Sequence, residues 1–518
     1  MCRVPCRRNV IPAIIVVATC AAFAAVMGNG FVEWGDRGEL LDNVHYRGFG
    51  WANLSWMFTT IHQGHYQPLT WLSFAADYAM WGMRPAGYHA TSLVLHCVCA
   101  VVAYLIILRL LGPGALVAAA LAALLFALHP LRVEAVAWAT ERRGPLSSAL
   151  ALSSVLAYLY RARWLSVALF GLALLAKEFV FTLPLVLVIL DVYPLRRRAW
   201  REKIPFFVLG ALGAAVAIAS SAHSGVARSL AEYGVLERVA QCFYGLAFYL
   251  EKTILPTGLS PIYSIPPELD PFAMRYVVSA IVVIGLTAGL VAARRRFPAA
   301  LAAWVVFVVI LSPVLGLAQT GHQIAADRYT YLPAVAVSAL VGSGLVKLGR
   351  AAPMAMLPML PLLAALALLT WKQVGVWRDP ETLWRHAVRV DPNCHISRNN
   401  LEAVLGRSGR CGLQEPLDAL EVRNDLGGER EREGLARLDP GHLGGPDAVG
   451  PLAPGPGADD VVVDTTAFRK VPEAALRLRL HVHEPRDRLE LGRTPRHGRH
   501  REGHCIERGD EVGHGRAS

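Results

Sequence analysis

Four short polar segments interrupt an otherwise apolar chain, and their side chains are of the types that move protons or bind phosphate. The first segment follows the first apolar run and carries Glu33 and Asp36. A carboxylate beside a membrane is costly unless it is paired or used. Such a group could deprotonate a hydroxyl group or hold a divalent cation beside a phosphate leaving group. The structural alternative is that both carboxylates cap short helices or pair with Arg37 and Arg47.

The second segment, residues 128–144, reads LHPLRVEAVAWATERRG. Its charged side chains and its histidine are His129, Arg132, Glu134, Glu141, Arg142 and Arg143. Arg132 and Arg142 could clamp a phosphate group, because a guanidinium offers forked hydrogen-bond donors. The alternative is a belt at the membrane interface, where tryptophan is common and arginine extends its charge into water.

The third and fourth segments are shorter. Residues 321–333, GHQIAADRYTYLP, contain Asp327, Arg328 and Tyr329 just before an apolar run. Lys177 and Glu178 lie together in the middle of another apolar stretch. We expect all four segments at one face of the molecule, and such convergence favours a functional site more strongly than any single segment does.

The elements that must position these side chains are long apolar helices. Of 518 residues, 54% are hydrophobic and 18% charged, and the mean hydropathy is +0.39. Nearly uncharged runs occupy residues 11–28, 93–111, 115–129, 277–293, 301–317 and 354–369. Each run approaches the roughly 20 residues that a helix needs to cross a membrane, and a helix satisfies its own backbone there. The nine cysteines show no metal-ligand spacing. The sequence therefore predicts an all-α polytopic membrane protein.

The basic residues predict its orientation, because short loops rich in lysine and arginine stay in the cytoplasm. They cluster at residues 3–8, 161–163, 196–203, 294–296 and 347–350. We interpret the first apolar run as an uncleaved helix rather than a signal peptide. The clusters then predict about eleven transmembrane helices, with the N-terminus cytoplasmic and the C-terminus outside. This count requires a hairpin of two short helices with Lys177 and Glu178 at its apex, and an interfacial helix at 236–255.

The chain changes character after residue 371. Leu383, Ala387 and Val390 have helical spacing, Pro392 follows, and a second helical pattern begins near Asn400. This pattern is similar to a partial tetratricopeptide repeat, which we assign to residues 372–410 after a transmembrane domain at 1–371. Residues 411–518 are rich in glycine, proline and charge, which predicts a disordered tail. An alternative for this tail is a reading frame that slips near Arg410.

Seven motifs in fixed order resemble the bacterial branch of one family, the transmembrane and tetratricopeptide-repeat proteins related to O-mannosyltransferases. The motifs are FVEWGD, YQPLTWLS, RPAGYH, LHPLRVEAVAWATER, LLAKE, ADRYTYLP and WRDPETLW, and the match covers residues 31–410. The resemblance implies a C-class membrane glycosyltransferase with an acidic catalytic residue in its first external loop and a sugar donor linked to polyprenyl phosphate. Two positions depart from the family pattern, since Gly35 and Gly144 stand where acidic residues are usual.

By this resemblance Asp36 becomes the catalytic carboxylate. From charge and position, Arg132, Arg142, Lys177 and Arg328 become candidates for the donor phosphate. Candidates for the acceptor or the sugar are Glu33, His129, Glu134, Glu178, Asp327 and Tyr329. A metal site is not assigned, although a divalent cation would suit such chemistry.

The sequence thus predicts a hexosyltransferase of the bacterial inner membrane that moves a mannose-like sugar from a polyprenyl-phosphate donor to an external acceptor. The repeats could present a protein acceptor, and we expect no nucleic-acid partner. One alternative is a non-catalytic, membrane-anchored tetratricopeptide scaffold for protein interaction. A transporter is a further alternative, which predicts two related halves with broken helices, and no such internal repeat is visible.

Overall fold

The computed structural model describes residues 4–224, 232–266, 268–317 and 321–407. The chain divides into two units, Met1–Gly457 and Ala458–Ser518, and every described residue belongs to the first. The predicted disordered tail and the predicted frame slip near residue 410 lie outside the described residues. The description below therefore concerns the helical part of the chain alone.

Seventeen α-helices make up most of the described residues, as predicted for an all-α protein. In chain order they are α1 (Val4–Phe23), α2 (Trp51–Thr59), α3 (Pro68–Trp81), α4 (Pro85–Leu111), α5 (Leu116–Ala127), α6 (Val133–Ala137), α7 (Arg143–Leu159), α8 (Arg163–Ala176), α9 (Leu183–Val192), α10 (Ile204–His223), α11 (Val235–Ile254), α12 (Met274–Ala292), α13 (Pro298–Leu311), α14 (Ala334–Ala351), α15 (Met359–Val376), α16 (Pro380–Val390) and α17 (His395–Arg407). Two short strands, β1 (Tyr263–Ser264) and β2 (Gln323–Ala325), pair antiparallel.

Local sequence signals explain several helix boundaries. Helix α4 begins at Pro85, a residue whose fixed φ suits the first helical position. The same helix ends before Gly112, which takes a φ of +94° that other residues rarely adopt. Helix α16 begins after Asp379, whose carboxylate accepts a hydrogen bond from the backbone N–H of Thr382 at 2.8 Å. These signals come from single residues at the helix ends and do not depend on hydropathy.

Six helical segments of the described chain are long and apolar enough to cross a membrane. They are Val10–Gly28, Pro85–Leu111, Trp200–His223, Met274–Ala292, Ala334–Ala351 and Met354–Val376. The bent pair Pro113–Ala127 and Pro130–Ala137 would make a seventh, and Arg163–Ala176 and Pro298–Val314 are shorter apolar helices. The chain is accordingly a multi-pass membrane protein, whereas the count of eleven crossings stays a prediction.

Two uncertain parts of the predicted topology have clear helical counterparts. The stretch around Lys177 contains two short helices, α8 and α9, joined by a turn that starts with Glu178, and the predicted hairpin of two crossings stays a prediction. The predicted interfacial segment is α11, which is not among the candidate spans. Residues 372–407 form a helical pair, α16 and α17, but its assignment to the tetratricopeptide family stays a prediction.

The core forms where small residues let helices approach closely. Ala100 and Ala103 of α4 and Ala119 and Ala122 of α5 are all buried in one apolar cluster. A Cβ atom on Gly342 of α14 would lie only 3.1 Å from the Cβ of Ala122, so α14 packs directly on α5. This bundle supports α6 and the start of α7, which carry the second polar segment.

Candidate functional site

The four polar segments meet, and Glu141 lies at the centre of their contacts. Lys177 forms an ion pair with its carboxylate, the Nε atom of Arg143 lies 3.2 Å from it, and the Nε atom of Arg328 lies 3.8 Å from it. Burial would raise the pKa of Glu141, but the charges of Lys177, Arg143 and Arg328 lower it to about 2. Glu141 is therefore a permanently ionised group that gathers three cations.

Glu134 attaches the third segment to the second. Its carboxylate accepts a 2.7 Å hydrogen bond from the backbone N–H of Arg328 and forms an ion pair with the Arg328 guanidinium. That guanidinium also lies over the rings of Trp138 and Tyr329, at 5.4 and 4.9 Å from their centroids. Trp138 is only 5% exposed, so the interfacial-belt alternative does not describe this segment.

Asp36 connects the first segment to the second from a fully buried position. One carboxylate oxygen accepts hydrogen bonds from the backbone N–H and the hydroxyl of Thr140, at 2.9 and 2.6 Å, and the other accepts from the Val32 N–H at 3.0 Å. Burial raises the pKa of Asp36 to about 6, and these hydrogen bonds limit the rise. Since a carboxylate offers about four lone pairs, little capacity remains for a substrate in this arrangement.

The two departures from the family pattern border this contact. Gly35 has a φ of +73°, and a Cβ atom there would lie 3.1 Å from the Trp138 ring. A Cβ atom on Gly144 would lie 2.9 Å from a carboxylate oxygen of Glu141. Any side chain at either position would therefore strain the backbone or press on the groups that organise the cluster.

Glu39, which the sequence analysis did not select, is the least constrained buried carboxylate of the first segment. It lies on a π-helical turn, Arg37–Leu41, and accepts one hydrogen bond, from the Gln67 amide at 3.1 Å. Burial raises its pKa to about 7 against the opposing charge of Arg143, and the charges of Asp36 and Glu141 add to the rise. A carboxyl group with this pKa can exchange a proton near neutral pH.

Arg143 and Glu178 each present a buried polar atom without a hydrogen bond among the described residues. These atoms are the Nη1 of Arg143 and the Oε2 of Glu178. The other oxygen of Glu178 lies 2.9 Å from the Nδ1 of His65, a half-buried side chain in the loop between α2 and α3. The pKa of Glu178 is lowered because these contacts outweigh burial. Arg143 thus keeps an uncommitted donor and Glu178 an uncommitted acceptor.

Arg132 and Arg142 lie apart from the contacts of Glu141. Arg142 forms a fully buried ion pair with Asp77 at 2.5 Å and donates to the Tyr88 carbonyl at 2.7 Å. Arg132 donates to the Thr330 hydroxyl at 2.7 Å, while its Nε and Nη1 atoms make no hydrogen bond within the described part of the chain. Arg142 is therefore committed to the protein interior, whereas Arg132 retains donors.

The remaining predicted residues mostly hold loops together. Asp327 accepts a hydrogen bond from the Tyr263 hydroxyl at 2.9 Å, and burial, aided by the nearby Glu134, raises its pKa. A ring nitrogen of His129 lies 3.1 Å from the Thr253 carbonyl. The hydroxyl of Tyr329 accepts from Gln323 at 3.0 Å, and Glu33 pairs with Arg37 at 4.0 Å and with Arg407 at 3.2 Å. The pairing of Glu33 with Arg37 is the one that the structural alternative predicted.

The local sequence offered only weak signals for Glu39, Arg143 and His65. Glu39 lies three residues after Asp36, so one helical turn brings both to the same face. Arg143 adjoins Arg142, and charge alone cannot tell which of two neighbours is buried in an ion pair. No group of three metal-ligating side chains occurs among the described residues.

An apolar cavity of about 170 Å³ begins close to these groups. It lies between α4, α7, α9, α13 and α14, and its lining includes Leu183, just after the turn of Glu178, and Leu332, just after Tyr331. The lining continues to Leu111 and Tyr193, near the other ends of α4 and α9. The described part of the molecule thus combines a buried charged cluster with an apolar cavity between its helices.

The fold and the site define this chain as a polytopic helical membrane protein. Comparison with known proteins shows similarity to the following relatives. The chain is similar to Protein O-mannosyl-transferase Tmtc1 of Drosophila melanogaster, with 36% identity over 138 residues, 25% of this chain and 16% of that protein. It is 38% identical to TMTC3 of Mus musculus over 93 residues, 18% and 10% of the two chains, and 31% identical to Tmtc2 of Drosophila melanogaster over 200 residues, 33% and 21%. The chain therefore covers about a tenth to a fifth of these relatives. No family model and no solved structure matches it.

Proposed function

We propose that this chain is a membrane glycosyltransferase of the transmembrane and tetratricopeptide-repeat family, and that it moves a hexose from a polyprenyl-phosphate donor to a protein hydroxyl on the non-cytoplasmic side. The similarity to proteins named O-mannosyl-transferases supports the reaction class. The observation that carries the proposal is Glu39, a buried carboxyl group with a pKa near 7, placed within the electrostatic influence of Arg143 and Glu141. Transfer from a phosphate is assisted by a proton acceptor for the incoming hydroxyl and by positive charge at the leaving phosphate.

In the proposed reaction Glu39 accepts the proton of the acceptor hydroxyl as the hydroxyl oxygen bonds to the anomeric carbon. The bond from that carbon to the phosphate oxygen breaks, and its electron pair leaves with the lipid phosphate. Arg143, with its uncommitted Nη1 atom, binds the phosphate, and Lys177 and Arg328 add positive charge. Asp36 holds the first loop against Thr140. The prediction that Asp36 is the catalytic carboxylate is tested in the same experiment as the proposed role of Glu39.

The apolar cavity supports a lipid-linked donor. Its lining is almost entirely aliphatic, and it starts beside the charged turns at Leu183 and Leu332. A polyprenyl chain could lie along it while the phosphate stays at the cluster, because removing the apolar chain from water into an apolar cavity is favourable. Arg132, which keeps two buried donors, is a second phosphate ligand in this scheme, whereas Arg142 serves to fix α3 to the second segment through Asp77.

The test measures transfer of labelled hexose from polyprenyl phosphate to protein in membranes that contain the full chain. We expect Glu39→Gln to lower transfer by about 100-fold or more, since the variant cannot accept the proton. Asp36→Asn lowers transfer to the same extent if Asp36 touches the acceptor, and by less if it only positions the loop. Glu251→Gln is the matched control, because the Glu251 side chain is 61% exposed and, among the described residues, its ion pair is with the neighbouring Lys252. Unchanged transfer in both Glu39→Gln and Asp36→Asn would contradict the proposal.

The scaffold alternative has one supporting contact. Trp384 of α16 meets Trp34 of the first segment edge to face at 5.0 Å, and Arg407 of α17 pairs with Glu33. The helical pair is therefore attached to the proposed site, where it could gather a partner without chemistry. Transfer that depends on Glu39 separates the two functions, since a scaffold needs no titrating carboxylate.

The orientation and the cell compartment belong to the same proposal. A cytoplasmic N-terminus, an external C-terminus and a bacterial inner membrane follow from the basic loops and the resemblance. The basic residues at 161–163 and 196–203 lie at the ends of α7, α8 and α9 that are remote from Glu141 and Lys177. This polarity supports a site on the face away from the cytoplasm.

A further inference from the structure

A second polar pocket lies at the other end of α7 and α9 from the charged cluster. Arg143, at the cluster, and Tyr158, at this pocket, are separated along α7 by fifteen residues, which corresponds to about 22 Å of helix. The pocket has a volume of about 290 Å³. It is lined by Val188, Asp191, Val192, Arg196, Arg197, Arg198, Ala199, Trp200 and Lys203. It is thus a site separate from the one proposed for transfer.

Its polar lining is strongly basic. Four cationic side chains face the pocket, and Asp191 is the one carboxylate among its lining residues. Asp191 accepts hydrogen bonds from the Tyr158 hydroxyl at 2.9 and 3.0 Å, pairs with Arg197 at 2.7 Å, and forms a second ion pair with Lys203. These contacts fix the floor of the pocket and place Arg197 over the Tyr158 ring, 4.5 Å from its centroid.

Positive charge remains after these pairs are formed. No ion pair of Arg196 or Arg198 occurs within the described residues, and the Nη2 atom of Arg197 is buried there without a hydrogen bond. Guanidinium groups that share a concave pocket repel one another unless an anion lies between them. The pocket is therefore prepared for an anion with several oxygens.

The location of the pocket indicates which anion it can reach. Helix α9 is apolar from Leu183 to Leu190, and the candidate span Trp200–His223 begins on the other side of the pocket. Trp200 is 61% exposed, as is common for tryptophan at the level of lipid head groups. The pocket thus opens where the apolar surface of two helices ends, which is where phospholipid phosphates lie.

We propose that this pocket binds the phosphate of an anionic phospholipid head group, with Arg196 and Arg198 as its main ligands and Arg197 as the buried third. Basic pockets between helices at the membrane surface are suited to such head groups. A free phosphate ion would share this chemistry, so the experiment must separate the two sources. The inference does not depend on the transferase proposal, because it uses none of the same side chains.

The test uses the purified full chain in nanodiscs of phosphatidylcholine with or without phosphatidylglycerol. The phosphatidylglycerol retained by each chain is measured by native mass spectrometry, and the melting temperature is measured in parallel. We expect R196Q/R198Q to retain about tenfold less phosphatidylglycerol, because two cations at the membrane surface are lost. R294Q/R295Q is the matched control, since both arginines are exposed and predicted on the same side of the membrane. This control should retain the lipid as the parent chain does.

Equal loss in both double variants, or no loss in either, would overturn the proposal. Inorganic phosphate that displaces the lipid and raises the melting temperature by itself would overturn the lipid as the source of the anion. If R196Q/R198Q fails to fold, the test is the melting temperature of the parent chain in the two nanodiscs. Phosphatidylglycerol should raise this temperature above that in phosphatidylcholine alone. No difference between the two nanodiscs would contradict the proposal.

Discussion

Glu39 and Asp36 are three residues apart and both buried, yet their surroundings differ. Asp36 accepts three hydrogen bonds from Val32 and Thr140, whereas Glu39 accepts one from Gln67. Burial raises the pKa of both carboxyl groups, to about 6 for Asp36 and to about 7 for Glu39. Because fewer lone pairs of Glu39 are occupied by the protein, it has more room for an acceptor hydroxyl, and this difference leads us to prefer Glu39 as the base.

Burial of Glu39 predicts a pH-dependent effect on stability. Its pKa is raised from 4.5 to about 7 on folding, so the folded state holds this proton more tightly than the unfolded state does. The stabilisation is complete below pH 4.5 and is lost as pH rises through 7. Glu39→Gln removes the cost of ionising this buried group. The free energy of unfolding of the variant, relative to that of the parent chain, should therefore rise by about 3 kcal/mol as the pH is raised from 4 to 8.

The measurement is the melting temperature of both chains across this pH range. Glu251→Gln, at an exposed position, should follow the parent chain throughout. A melting-temperature difference between Glu39→Gln and the parent chain that stays constant from pH 4 to pH 8 would show that Glu39 is not held in a desolvating site.

At the level of elements, α16 rests on the first polar segment. The Trp34 ring contacts Trp384 at 5.0 Å, and both side chains join the small apolar cluster that includes Ile262, Leu401 and Leu405. We expect Trp34→Ala to expose this interface, because loss of this large, partly buried aromatic ring removes about 1 kcal/mol or more of packing. Limited proteolysis should then cut between α16 and α17 at least several times faster.

Trp371→Ala is the control for this experiment, since Trp371 lies on α15 and its side chain is 47% exposed. It should leave the cleavage rate unchanged. Equal cleavage of Trp34→Ala and the parent chain would mean that the helical pair does not rely on the first segment for its position.

Hydropathy and charge predicted most of the helices but only part of the site. The hairpin at Lys177 and Glu178 was predicted because the basic clusters on either side require an even number of crossings between them, and these two charges mark the midpoint of the apolar stretch. The positions of Arg142 and Arg143 could not be predicted, because only the packing of α3 brings Asp77 to the first and leaves the second at the cluster. The sequence did not predict the burial of Glu39 for the same reason, since this burial depends on contact with Gln67 and on a π-helical turn.

At the level of the whole molecule, the predicted orientation can be tested across a single span. Arg295 and Glu268 are both exposed and lie on opposite sides of the candidate span Met274–Ala292. A membrane-impermeant maleimide added from outside should label Glu268→Cys and leave Arg295→Cys unlabelled in intact cells. Cys20, Cys97, Cys99, Cys242 and Cys394 are buried or half-buried, and labelling of the unmodified chain measures the background from all native cysteines. Labelling of Arg295→Cys alone would reverse the proposed topology.

The most direct test of the central claim compares cells that carry the parent chain, Glu39→Gln, or no copy of the gene. The hexose attached to proteins on the non-cytoplasmic side is quantified by mass spectrometry, with membrane insertion of each chain measured in parallel. The proposed function predicts hexose with the parent chain, and a loss with Glu39→Gln as complete as the loss without the gene. Equal hexose in all three would contradict it.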